Sequence, residues 1–77
     1  MEREIKVGEI YKHFKGTFHK VIAIALHSET LEKMVVYTHE DSEEVWVRPY
    51  SLFNSFVDKK KYPECEQEYR FELVKHD

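Results

Sequence analysis

The chain has 77 residues, which suffices for one domain, 1–77, and excludes a second; chains near this size bury only about 60% of their unfolded surface. At 42% hydrophobic, 14% aromatic and 35% charged, with two Gly and two Pro, the composition excludes a disordered tail, a collagen and a coiled coil. A net charge of -3 has the wrong sign for a protein held on nucleic acid mainly by counterion release, so nucleic acid is a disfavoured partner. Residues 8–14 alternate apolar with polar or aromatic side chains and predict a first strand, and Lys15-Gly16-Thr17 predicts a turn. Residues 18–27, rich in Val and Ile, predict a second strand; residues 28–33 have no apolar period and read as a hairpin connection into a third strand at 34–38. An acidic loop, 39–44, separates this from a fourth strand at 45–48, ended by Pro49, which lacks the donor a strand needs. Beyond it, Leu52, Phe53, Phe56 and Val57 recur at helical spacing and predict one or two turns of helix. Residues 58–63 form a charged loop, and 69–74 alternate again as a closing strand.

One cysteine, Cys65, cannot staple the chain internally, whereas secreted domains this small usually carry several bridges; a reducing, cytoplasmic setting is expected. The longest apolar run, 21–26, falls far short of the roughly 20 residues that span a bilayer, so no membrane partner is expected. Charge is uneven. Residues 1–27 hold five Lys/Arg against three Asp/Glu, and residues 28–44 hold six acids against Lys33 alone. Five short strands with a helical turn before the last predict a mainly β fold, a small, partly open SH3-like barrel; an OB-fold would place its helix between the third and fourth strands.

Several blocks carry a family likeness: Tyr11-Lys12-His13-Phe14-Lys15-Gly16, Ala25-Leu26-His27-Ser28-Glu29-Thr30-Leu31-Glu32, Val35-Val36-Tyr37, Trp46-Val47-Arg48-Pro49 with Phe53, and Arg70-Phe71. In this order, from about Gly8 to Phe71, the chain resembles a family of short bacterial proteins defined as a domain of unknown function. The resemblance implies an SH3-type barrel. It implies no activity.

Strand alternation sorts the side chains. Tyr11 and His13 fall opposite Ile10, Lys12 and Phe14; Tyr37 falls opposite Val36; Trp46 and Arg48 fall opposite Val45 and Val47. The same parity sets Ile22, Ile24 and Leu26 against Ala23, Ala25 and His27, so one face reads as aliphatic and the other as aromatic and polar. Rings supply stacking and Arg or His supply orientation, so Tyr11, His13, Tyr37, Trp46 and Arg48 are expected to form a face for a small anionic or nucleotide-like ligand. His27 and Glu29, on the adjoining hairpin, complete the candidate ligand-binding set. The competing reading makes the same rings core, with Arg48 paired to Glu29 or Glu32; a further alternative has them grip an extended peptide.

Catalysis is not expected. His27-Ser28-Glu29-Thr30 brings imidazole, hydroxyl and carboxylate together, but adjacency in sequence is weak support for a base and nucleophile, and such turns usually bond their own backbone. No metal site or cofactor is expected either, because the five histidines show neither the i, i+4 pair of a zincin helix nor the cysteine pairs of a zinc ribbon. Lys12, Lys15, His19 and Lys20 around Gly16, and Lys59-Lys60-Lys61, form two small basic clusters that read as solvated loops.

Overall fold

The computed structural model describes residues 4–40 and 42–74. His76, one of the five histidines, lies outside the described residues. The elements run β1 (Ile10–His13), β2 (Phe18–Leu26), β3 (Lys33–His39), β4 (Val45–Pro49), α1 (Tyr50–Phe53) and β5 (Phe71–Leu73). They form one antiparallel sheet in the order β4-β3-β2-β1-β5, mainly β as expected, with the helical turn before the last strand. The expected helix is a single turn, and the closing strand is shorter than expected, preceded by an isolated bridge between Phe56 and Tyr69. No helix among the described residues is long and apolar enough to cross a membrane.

Among the described residues β4 and β5 remain the two edges, unpaired with each other, but the sheet is far from flat. Four strand spacings of about 4.8 Å would separate these edges by roughly 19 Å, more than an arginine side chain spans. Yet the Arg48 guanidinium carbon on β4 lies 5.1 Å from the ring centre of Phe71 on β5. The sheet therefore curls until its inner face meets itself, and the core fills the curl: Tyr11, Val21, Val35, Tyr37, Phe53 and Phe71, with Ile5 from the preceding segment. Phe53, delivered by α1, stacks on Phe71 at 4.1 Å and meets Tyr11 edge-on at 5.5 Å. Two tyrosine hydroxyls fasten the N-terminal segment over this core: Tyr50 Oη accepts the Ile5 N–H at 2.9 Å and Tyr11 Oη accepts the Lys6 N–H at 2.8 Å.

The parity read from sequence holds for β1, β3 and β4 but breaks in β2. A register shift between Val21 and Ala23 places Val21 opposite Tyr37 and Ile24 opposite Val35, so Val21 and Ile24 share the inner side although they stand an odd three positions apart. Ile22 is left 42% exposed. It is the ring-bearing face, rather than the aliphatic one, that turns inward: Val45 and Val47 point out from edge strand β4 and are 60% and 58% exposed. Large rings fill a tight curl with few residues, which explains the choice in so short a chain.

Candidate ligand-binding hollow

The inner face is plugged by Phe53 on one side of Phe71 and opens on another into a hollow of about 340 Å³. Its position follows from strand register. Tyr11 pairs with His19, His19 with His39, Val21 with Tyr37, and Tyr37 with Trp46, so inward-pointing side chains of four neighbouring strands converge. Arg48, two residues beyond Trp46, shares its face and reaches across to Phe71. The β1–β2 turn contributes Lys15 and Thr17 to the rim. Gly16 makes this turn with φ at 103°, a left-handed conformation that glycine adopts without steric cost.

Of the seven candidate residues, His13, Tyr37, Trp46 and Arg48 line this hollow. Tyr11 is buried in the core, its hydroxyl occupied by the Lys6 backbone. His27 and Glu29 sit in the β2–β3 turn, exposed and outside the hollow. His27 Nδ1 accepts the backbone N–H groups of Glu29 and Thr30, at 3.1 and 3.3 Å, which commits that nitrogen to the turn rather than to Ser28. Among the described residues no carboxylate pairs with Arg48.

Sequence reading missed His19, His39, Lys15, Thr17 and Phe71 as partners of that set. The signal for His19 was present, since it shares inward parity with Val21, but its place between lysines disguised it as part of a basic turn. The predicted third strand stops at Thr38, one residue short of the observed end, and so leaves His39 in the acidic loop.

The imidazoles are crowded. His19 lies 4.4 Å from His39 and 6.2 Å from His13, ring centre to ring centre, and edge-on to Phe71 at 5.3 Å. Its Nε2 bonds the Thr17 hydroxyl at 2.9 Å, while the buried Nδ1 has no partner in hydrogen-bonding geometry, although the nearby Thr38 backbone favours the charged form slightly. Burial, then the neighbouring His39 and His13, push the His19 pKa down to about 4. The His13 pKa is lowered as well, first by burial and then by the positive charges of Arg48, Lys15 and Arg70. The charges that help burial lower these two pKa values are Arg48, Lys15 and Arg70, and the lining holds Lys15 and Arg48 with no carboxylate, which gives the hollow a positive field. Among the described residues no three His, Cys, Asp or Glu side chains converge as metal ligands.

Chemically, the hollow offers an anion two cations, Lys15 and Arg48, and an indole face, and its lining contains no carboxylate. A small, mainly β domain with a curled sheet and a cationic, ring-lined opening is the class these features define. The family model for DUF1653, described as a protein of unknown function, matches residues 9–73, and the chain belongs to that family. A crystal structure of a DUF1653 protein from Bordetella bronchiseptica is similar over 100% of this chain and 96% of that one, at 26% identity and a TM-score of 0.77. No curated protein matches the chain.

Proposed function

We propose that the protein is a non-catalytic binding module, an SH3-like barrel left partly open, which holds a small anionic or nucleotide-like ligand in the hollow. The observation that carries this reading is the lining: Lys15 and Arg48, three imidazoles and the 46% exposed Trp46, with no acid, in a chain of net charge -3. A guanidinium held over Phe71 by its ring contact presents a planar fork that matches a phosphate or carboxylate, and the indole offers a stacking surface. His13 and His19, their pKa values lowered, present neutral ring nitrogens to ligand groups at neutral pH, and a bound anion favours their protonated form.

Calorimetric titration with inorganic phosphate and with adenosine monophosphate tests this. The wild type should bind the nucleotide more tightly than phosphate alone, and Arg48→Ala should lose about 1.5 to 3 kcal/mol of affinity, the range for a charged hydrogen bond. Its melting temperature should hardly move, because only a cation–π contact is lost. Arg48→Lys keeps the charge without the fork and should fall between the two. A folded wild type that gives no heat with either probe at millimolar concentration rejects the reading.

A second reading, an extended peptide added to the sheet, draws on one observation: β4 is an edge strand with Val45, Trp46 and Val47 exposed. Amide exchange of β4 separates the two, since peptide addition protects its backbone and a ligand in the hollow does not.

A further inference from the structure

A second hollow, of about 310 Å³, adjoins the first and shares His13 and Lys15 with it. Its walls repeat the same chemistry with different residues. Phe14 and Tyr62 meet edge-on at 4.9 Å, half-buried, and Lys61 and Arg70 supply the positive charge. The ammonium groups of Lys61 and Lys15 lie 5.7 and 5.9 Å from the Tyr62 ring centre, and neither they nor Arg70 form an ion pair among the described residues. The one carboxylate present, that of Asp58, is held in its own turn by the Lys60 N–H at 3.0 Å. Lys59 is not part of this wall; its ammonium bonds the Cys65 and Gln67 carbonyls.

Rings also connect the two hollows. Tyr62 touches Phe14, Phe14 lies 4.6 Å from His13, and His13 leads on to His19 and His39. Each hollow is near the lower end of the volume range for small-molecule sites, so each suits one base-sized group rather than a large ligand. Aromatic surfaces on both sides of a shared cation are the arrangement in which single-stranded nucleic acid is held, with bases against rings and phosphate against lysine. A polyphosphate would use the cations but leave the rings idle. The chain's net negative charge does not set the local field: every residue lining the first hollow is neutral or basic, and the second sets Lys15, Lys61 and Arg70 against Asp58 alone.

Resting on the reading of the first hollow as an anion and nucleotide site, we propose that the ligand is a single-stranded oligonucleotide of at least two residues. One base lies toward Trp46, the other toward Tyr62 and Phe14, and the connecting phosphodiester is held at Lys15 and His13. Recognition through ring faces and phosphate is tolerant of base identity.

The test compares adenosine monophosphate with the 5′-phosphorylated adenylate dinucleotide, following the fluorescence of Trp46, the chain's single tryptophan, over a series of salt concentrations. The dinucleotide should bind at least tenfold more tightly, and its log–log salt dependence should be steeper by about 0.7 for the added phosphate. Tyr62→Ala and, separately, Lys61→Glu should bring dinucleotide affinity down to that of the mononucleotide while leaving mononucleotide affinity unchanged. Lys61 is exposed, so the second variant keeps the fold and protects the test against a misfolded Tyr62→Ala. Equal affinities for the two nucleotides in the wild type overturn the two-hollow ligand and leave the first hollow's function standing. Tripolyphosphate binding as tightly as the dinucleotide overturns the role of the bases. Binding of neither nucleotide by folded protein overturns this inference, and failure to bind inorganic phosphate as well overturns the reading beneath it.

Discussion

The β1–β2 and β2–β3 turns are each held by a histidine whose Nδ1 accepts a backbone N–H two residues ahead, Lys15 for His13 and Glu29 for His27, both at 3.1 Å. Locally the two imidazoles have the same task. Around them, little is alike. His13 lies edge-on to Phe71 at 4.8 Å, close to Phe14 and His19, at the wall shared by two hollows, while His27 stands exposed. The β1–β2 turn contributes Lys15 and Thr17 to the lining of the first hollow, whereas no residue of the β2–β3 turn lines either hollow. The comparison teaches that a turn-capping histidine becomes part of a site only when the far side of its ring meets other convergent groups.

The largest effect expected is on the support beneath the first turn. Phe71 carries Phe53, His13, His19 and Arg48 on its ring, so Phe71→Ala should cost about 3 to 5 kcal/mol and shift the thermal midpoint by many degrees, if the variant folds at all. A melt close to wild type would break the assignment of Phe71 to the core. Leu31→Ala in the other turn, where the side chain is 69% exposed, provides the contrast and should leave the midpoint within a degree or two.

Next comes pH. The His19 imidazole takes a proton near 6.5 in the unfolded chain and near 4 in the folded one, so between these values the unfolded state binds more protons. Stability should be full above about pH 6.5, decline as pH falls, and level off below about 4, with a loss on the order of 3 kcal/mol from this residue. Urea melts across that window measure it, and His19→Phe should flatten the curve. A ligand anion acts in the opposite direction: it favours protonated imidazoles, so its binding should tighten as pH falls through the same range while the protein stays folded. An affinity independent of pH would place the anion away from His13 and His19.

The smallest effects sharpen the comparison most. His13→Ala and His27→Ala each remove a turn-capping acceptor and should each cost roughly 0.5 to 1.5 kcal/mol of stability. Only His13→Ala should also weaken nucleotide binding, several-fold by titration. Equal weakening by both would mean that the turns act on the ligand through the fold rather than by contact.

Much of this was legible in the chain itself. Alternation placed Tyr11 with His13 and Trp46 with Arg48, because side chains on a strand alternate faces whatever the partner strand does, and the turn at Gly16, the end of β4 at Pro49 and the helical turn at Phe53 follow from local chemistry. What alternation cannot contain is register, bulges and curl, which depend on contacts between residues distant in sequence. The slip between Val21 and Ala23 reversed the fate of Ile22, and pairing His19 with His39 gathered imidazoles that stand twenty residues apart along the chain. Only the curl brought Arg48 over Phe71 and left His27 and Glu29 outside, and only packing decided that Tyr11 belongs to the core while Trp46 stays open to solvent. The sequence determines which side chains share a face; the tertiary structure decides which of those faces closes and what it encloses, because burial is a property of the assembled sheet and not of any one strand.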